Sequence, residues 1–407
     1  MSNPDLLNLL FAYSASHRAR LLSHPEPKDR IAYWVRDVFG NLRHALSSPE
    51  PVTDATLATA IMLASREIIT PNTFEVDIPW QNHLGIARQV IIQRGGLKDM
   101  GDHGSPIVNF LARWFAYLDV IGSLSGHKND VPLSEAYLSF PQDTLSQQRM
   151  SSTEGDSHGF AIDCFFGFTN CCISLLSRVA KLAHECDKER IDSDGNIDPD
   201  WEPSAEKKKV AERLVKDLNE SQEHVYAGCR HSEHANLDKW EVVSDSKKLD
   251  LQEIVSVNEA FHLAGQIHVY KRVLKKQSLD DEVQTCVIKV LKVLSTVREG
   301  GSADSCMLFP IFTAGCDAVD VEHRESILER LKLVEGLGMT HVSDSTTILA
   351  TECHGRTCSD FDVTGTEGSH TDAEELGHGQ TVGDTGFWGV FWLMMAIVMM
   401  PIVIIRS

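Results

Sequence analysis

Chemistry in a protein chain needs nucleophiles, acids, bases or metal ligands at spacings that let them converge. Several groups of residues invite that test. Gly122-Ser-Leu-Ser-Gly126 has the glycine spacing of a nucleophile elbow, but Leu124 stands where the serine must be. Ala183-His184-Glu185-Cys186 begins like a zincin helix and lacks the second histidine. His224, Cys229, His231 and His234 have ligand spacing suited to zinc, yet a polar stretch of this kind is ordinarily just solvated. Cys353, His354, Cys358, His370 and His378 could also gather a metal, but they sit in an acidic, sparsely apolar segment. Asp192, Asp194, Asn196 and Asp198 suggest calcium, although Gly195 falls at loop position four where a calcium loop needs it at six, so a solvated turn is the better reading. Lys207-Lys-Lys209 is too short for a nuclear signal and belongs on a charged helix face. Trp80, Trp114, Phe115, Tyr117, Phe165, Phe166 and Phe261 could line an apolar pocket, but aromatics at helical spacing are more often plain core. His262 and His268 read as core or interface histidines for the same reason. The expectation is a non-enzymatic chain with no catalytic residue, cofactor or metal assigned, and with any ligand-binding residues unidentified.

The elements that would have to position such groups are helices. Ser105 can cap a helix and Pro106 suits its first turn. That helix is predicted to run to Ile121, with Gly122 ending it. It is apolar almost all round, through Phe110, Leu111, Trp114, Phe115, Leu118 and Val120, so it should lie at the centre of a domain. Arg113 and Asp119 interrupt it. They cannot pair with each other on one face, so each, if buried, needs a partner on another element.

Other helices are marked by caps and periodicity. Asn3-Pro4 opens the first, and Thr53-Asp54 opens one carrying Leu57, Ile61, Ala64 and Ile68, which Pro71 closes. Pro79-Trp80 starts another that stops at Gly95-Gly96. A polar loop spans roughly 125–160. Helices are then expected over Cys164–Cys186, from Pro203 to about Asn219, over Ile254–Leu274, Val283–Val297 behind Asp280-Asp281, from Ser302, and over Val321–Val334. Sustained period-two alternation and phosphate-binding glycine loops do not occur. The fold class is all-α, an irregular multi-helix array rather than a simple bundle or a solenoid.

Composition limits the function. The 407 residues are 42% hydrophobic, enough for a substantial core. A net charge of −20 repels phosphate backbones and argues against unaided nucleic-acid binding. The ten cysteines are scattered in apolar or helical contexts with no signal peptide before them, which fits reduced thiols in an intracellular protein.

The character of the chain changes near its end. Residues 1–341 read as one helical domain. Residues 342–386 carry nine acids and one arginine, Arg356, and read as a disordered acidic linker. Phe387–Ile405 is 19 residues without a charge. As a helix it would be about 28 Å long, the span of a membrane. It reads either as a C-terminal transmembrane anchor or as a mispredicted tail.

Several motifs resemble one family in order. They are Val52–Ser65, Ile78-Pro-Trp-Gln-Asn-His-Leu84, Arg94-Gly-Gly96, Phe110–Gly126, Cys164-Phe-Phe-Gly-Phe-Thr169, Ile197–Pro203, Asn258-Glu-Ala-Phe-His262, Leu308–Cys316 and Gly336-Leu-Gly-Met-Thr340. The series, over roughly residues 5–341, resembles the second fungal-specific transcription factor domain family. The resemblance implies an all-α regulatory region of a binuclear zinc-cluster transcription factor, located in the nucleus. Its implied partners are transcription machinery or co-regulator proteins, with an apolar small-molecule effector in some related regulators. The zinc cluster itself has no counterpart here, since the first cysteine is Cys164, so DNA contact is expected to come from outside this chain. The alternative reading is a regulator or scaffold tail-anchored at an intracellular membrane through Phe387–Ile405.

Overall fold

The computed structural model describes residues 3–48, 50–69, 80–96, 106–125, 162, 167–192, 196–223 and 245–335. The helices are α1 Pro4–Leu21, α2 Lys28–Val35, α3 Val38–Ser47, α4 Asp54–Ile69, α5 Trp80–Gln93, α6 Pro106–Ser125 and α7 Asn170–Arg190. They continue with α8 Ala205–Glu223, α9 Asp245–His268, α10 Asp281–Leu294, α11 Ser302–Cys306, α12 Leu308–Asp317 and α13 Val321–Glu335. A π-helical turn, Val269–Val273, extends α9. Among the described residues the only β pairing is two isolated bridges, Ile162 with Thr169 and Ile191 with Ile197. The all-α expectation therefore holds for the described residues, among which no helix is long and apolar enough to cross a membrane.

Several boundaries come directly from side-chain chemistry. Asn3 Oδ1 accepts from the Leu6 amide at 3.0 Å, which satisfies a first-turn donor that the helix cannot. Thr53 does the same for Thr56 at 3.1 Å. After α5, Gly95 and Gly96 take φ of 89° and 88°, and the Gly96 amide closes back on the Ile91 carbonyl at 2.9 Å.

Four expectations need correction. Helix α6 does not end at Ile121; it continues through Gly122 to Ser125. Burial of Ser123 and Leu124 favours the extra turn, and the Ser123 hydroxyl bonds back to the Asp119 carbonyl at 2.7 Å. The predicted Cys164–Cys186 helix starts only at Asn170, because Gly167 has a φ of 76° and Thr169 is the cap, accepting from the Cys172 amide at 3.0 Å. The predicted Ile254–Leu274 helix begins earlier, at Asp245, and changes to π geometry after His268. The predicted Val283–Val297 helix ends at Leu294, where hydrogen-bonded turns replace it. Helices α2 and α3 have no counterpart among the sequence expectations. Pro71, Ser105, the 126–160 loop, Gly336–Thr340, the 342–386 linker and the Phe387–Ile405 stretch lie outside the described residues.

Helix α6 occupies the central place its composition predicts. It packs on α4, α5 and α7. Phe115, Leu118, Val120 and Ile121 are fully buried. Each contributes about 1.5–3 kcal/mol of hydrophobic stabilisation. Helices α1 to α5 pack among themselves around α4, and α7 to α13 pack around α9, yet one continuous apolar core runs through both groups.

Candidate functional site

Charged side chains inside this core have to be matched, and the π turn is where several of them are. An i→i+5 turn inserts an extra residue and rotates the later side chains out of α-helical phase. It brings Lys271 and Arg272 to opposite acids. Lys271 Nζ lies 3.0 Å from Asp317 Oδ1 and donates to Ser278 Oγ at 3.0 Å, while Ser278 donates to Asp317 at 2.7 Å. Gln284 adds a bond to the Asp317 carbonyl at 2.7 Å. Arg272 bonds Asp187 on α7 and the Leu124 carbonyl at the end of α6. Asp187 also accepts from Arg190 at 2.8 Å. Burial pushes the Asp187 carboxyl upward, but the two arginines outweigh it and hold it below the ordinary carboxylate value.

Three further pairs tie distant elements. Asp119 on α6 is fully buried and accepts from Arg88 Nε on α5 at 2.6 Å, which supplies the partner its position demands. Arg298 makes a fork to Glu253 with bonds of 2.7 and 2.8 Å, and this holds the carboxyl low. Arg330 donates to Asp304 at 2.6 Å, yet there burial wins and the carboxyl is raised. Each of these acids meets a cation, so the buried charges form cross-links between helices and present no free acid or base to a substrate.

The histidines behave in the same way. The His262 ring donates from Nδ1 to the Asn258 carbonyl at 2.7 Å and accepts at Nε2 from Ser221 at 3.1 Å, the pattern of a neutral imidazole. Burial lowers its pKa to about 4. Asn258 also accepts the Thr169 amide at 3.0 Å, so it latches the start of α7 to α9. Sequence reasoning misses this role; a threonine just before an apolar periodic run is the available signal. His268 stacks on Phe309 at 5.6 Å, and burial, with Arg272 adding to it, lowers its pKa to about 3. Tyr117, Phe168, Phe261 and Phe309 form one aromatic cluster, with Phe168 and Phe261 centroids 4.6 Å apart. Burial raises the thiols of Cys186 and Cys286 to about 11 and Cys306 to about 12, values that remove nucleophilic thiolate at neutral pH.

An accessible concave feature lies elsewhere among the described residues, between α1 and α2. It is a groove of about 390 Å³ lined by Phe11, Leu22 and Trp34 together with Arg18, Arg30 and His24. The Phe11 and Trp34 rings are 5.6 Å apart.

The residues singled out in the sequence are dispersed rather than gathered. Gly122–Ser125 is helical, so no elbow exists there. His184 is buried and bonds the Ala180 carbonyl at 2.8 Å. Asp192 accepts from Asn196 at 2.8 and 3.0 Å beside the Ile191–Ile197 bridge, while Asp194 and Gly195 lie outside the described residues. Lys207 pairs with Glu189 at 2.7 Å and Lys208 with Glu202 at 3.4 Å on the charged face expected. Trp114, Phe115, Tyr117 and Phe261 are buried core. The side chain of Trp80, and Phe165, Phe166, His224, Cys229, His231, His234, Cys353, His354, Cys358, His370 and His378, lie outside the described residues. Within those that are described, no group of histidine, cysteine or acid side chains is arranged to hold a metal.

Among known proteins, the family model described as fungal specific transcription factor domain matches residues 1–349. No curated protein and no solved structure matches.

Proposed function

Because the chain belongs to the fungal specific transcription factor domain family, we propose that residues 1–341 are the partner- or effector-responsive regulatory body of a nuclear transcription regulator. The family match over residues 1–349 carries this reading. The described body supports it: its buried charges are cross-linked, and burial holds the Cys186, Cys286 and Cys306 thiols protonated, properties of a scaffold rather than of a reaction centre. Such a body works through surfaces offered to co-regulator proteins or transcription machinery, and DNA contact comes from a module outside this chain. An apolar effector is also part of the proposal. The Tyr117–Phe168–Phe261–Phe309 cluster is already filled by its own side chains, so such a ligand would bind outside that cluster.

Deleting residues 1–341 from the full-length product tests the proposal. Chromatin recruitment or reporter output should change. If both are unaltered, the reading is wrong. A second reading, a tail-anchored regulator, rests on the uncharged run Phe387–Ile405. Fractionation with and without those residues separates the two. Membrane recovery that depends on the run supports anchoring, and full recovery in the soluble fraction opposes it.

A further inference from the structure

The α1–α2 groove has an apolar floor and a basic rim. Leu7, Phe11, Arg18 and Leu22 share one face of α1 at helical spacing. Phe11 is 46% exposed, and beneath it α1 already buries Leu9, Ala12 and Tyr13 on its other side. The apolar outer stripe is therefore not required by the core. The lining carries Arg18, Arg30 and His24 and no acid. Both arginines are exposed and have no acidic partner among the described residues. In a chain of net charge −20, this is a local inversion of sign at an aromatic surface.

We propose that this groove docks the chain's own acidic segment Ser359-Asp-Phe-Asp-Val363. Phe361 seats against Phe11 and Trp34, with Asp360 and Asp362 at the rim beside Arg18 and Arg30. Residues 342–386 hold nine acids and one arginine, and Phe361 is the only aromatic residue among them. In an extended chain Phe361 and Val363 share one side and the two aspartates the other. The apolar pair can enter the groove while the carboxylates stay in reach of the long arginine side chains. Reach along the chain is sufficient. About 26 residues separate Glu335, the last described position, from Phe361, which allows roughly 85–90 Å. A compact body of this length is only about 50 Å across. Tethering makes the docking intramolecular, at an effective concentration of order millimolar, so a small contact is enough. The aromatic anchor supplies the attraction, and the exposed ion pairs supply orientation and salt dependence.

The test does not depend on the regulatory reading. A photo-crosslinking phenylalanine analogue replaces Phe361 in the full chain, and its products are mapped by mass spectrometry. The proposal predicts intramolecular crosslinks to residues 4–35. They should fall severalfold in the double variant R18E/R30E and be restored when D360K/D362K is added. Circular dichroism of R18E/R30E checks that the helices persist, and crosslinking of the parent in high salt gives an independent loss without any substitution. Crosslinks confined to other elements overturn the proposal. So does crosslinking within residues 4–35 that is indifferent to R18E/R30E and to salt. Crosslinks that form between two copies and vanish on dilution also overturn it, assigning the groove to a second molecule instead.

Discussion

Asp119 shows how a single residue tests the core. Its carboxylate is fully buried in α6 and held by Arg88 from α5. Asp119→Ala leaves Arg88 without its partner and should lower unfolding free energy by roughly 3–5 kcal/mol, measured by chemical denaturation. Asp37→Ala removes the exposed Arg36–Asp37 pair and should leave the midpoint where it was. Equal midpoints for Asp119→Ala and the parent would show that the pair is not a cross-link. The histidines give a pH signature. Folded His262 titrates near 4 and His268 near 3, both below the value near 6.5 of an unfolded chain. Between those limits the unfolded state binds more protons, so their contribution to stability is full above about 6.5 and is lost as pH falls. The slope is about 1.4 kcal/mol per pH unit for each histidine over that window. His262→Gln should flatten part of the slope between pH 6.5 and 4, and an unchanged slope would contradict the assignment. Below about pH 4 the lowered carboxyls of Asp187 and Glu253 add their own loss, since each is stabilised only while ionised.

At the scale of elements, the entry to α7 is the sharpest case. Gly167 has a φ of 76°, and a Cβ there would meet Val257 Cγ1 at 2.5 Å. Gly167→Ala should therefore cost about 2–4 kcal/mol, from backbone strain and overpacking together. Val257→Ala removes the Cγ1 contact but keeps its Cβ at 3.2 Å and empties core volume of its own, so in a Val257→Ala background the loss caused by Gly167→Ala in denaturation should be recovered only in part. Full recovery would show that conformation is unimportant. The same segment explains what sequence can and cannot reveal. Helices opened by Asn3 or Thr53 and closed by Gly95-Gly96 are legible because one side chain or one glycine satisfies the end. Helices α2 and α3 follow the cap positions Pro27 and Asp37, neither of which makes a side-chain cap bond, and they are short, so neither periodicity nor cap bonds mark them. The π turn has no sequence signature of its own; its Lys271 and Arg272 look like surface cations until Asp317 and Asp187 are brought beside them. Asp119's need for a partner is evident from its apolar neighbours. That the partner is Arg88, 31 residues away in sequence, is not, since nothing local links them.

At the scale of the molecule, α6 joins the α1–α5 group to the α7–α13 group, and Arg272 fastens its Leu124 carbonyl to the second group. Through α6 the two groups share one apolar core. This helical body is proposed to act in transcription. The most direct measurement fuses the chain to an unrelated DNA-binding module and reads a reporter that carries the module's site. The account predicts output different from that of the module alone, and loss of that difference in the Asp119→Ala fusion at matched protein level. Output equal to the module alone, or a difference that survives Asp119→Ala in a fusion shown to be unfolded, would contradict it.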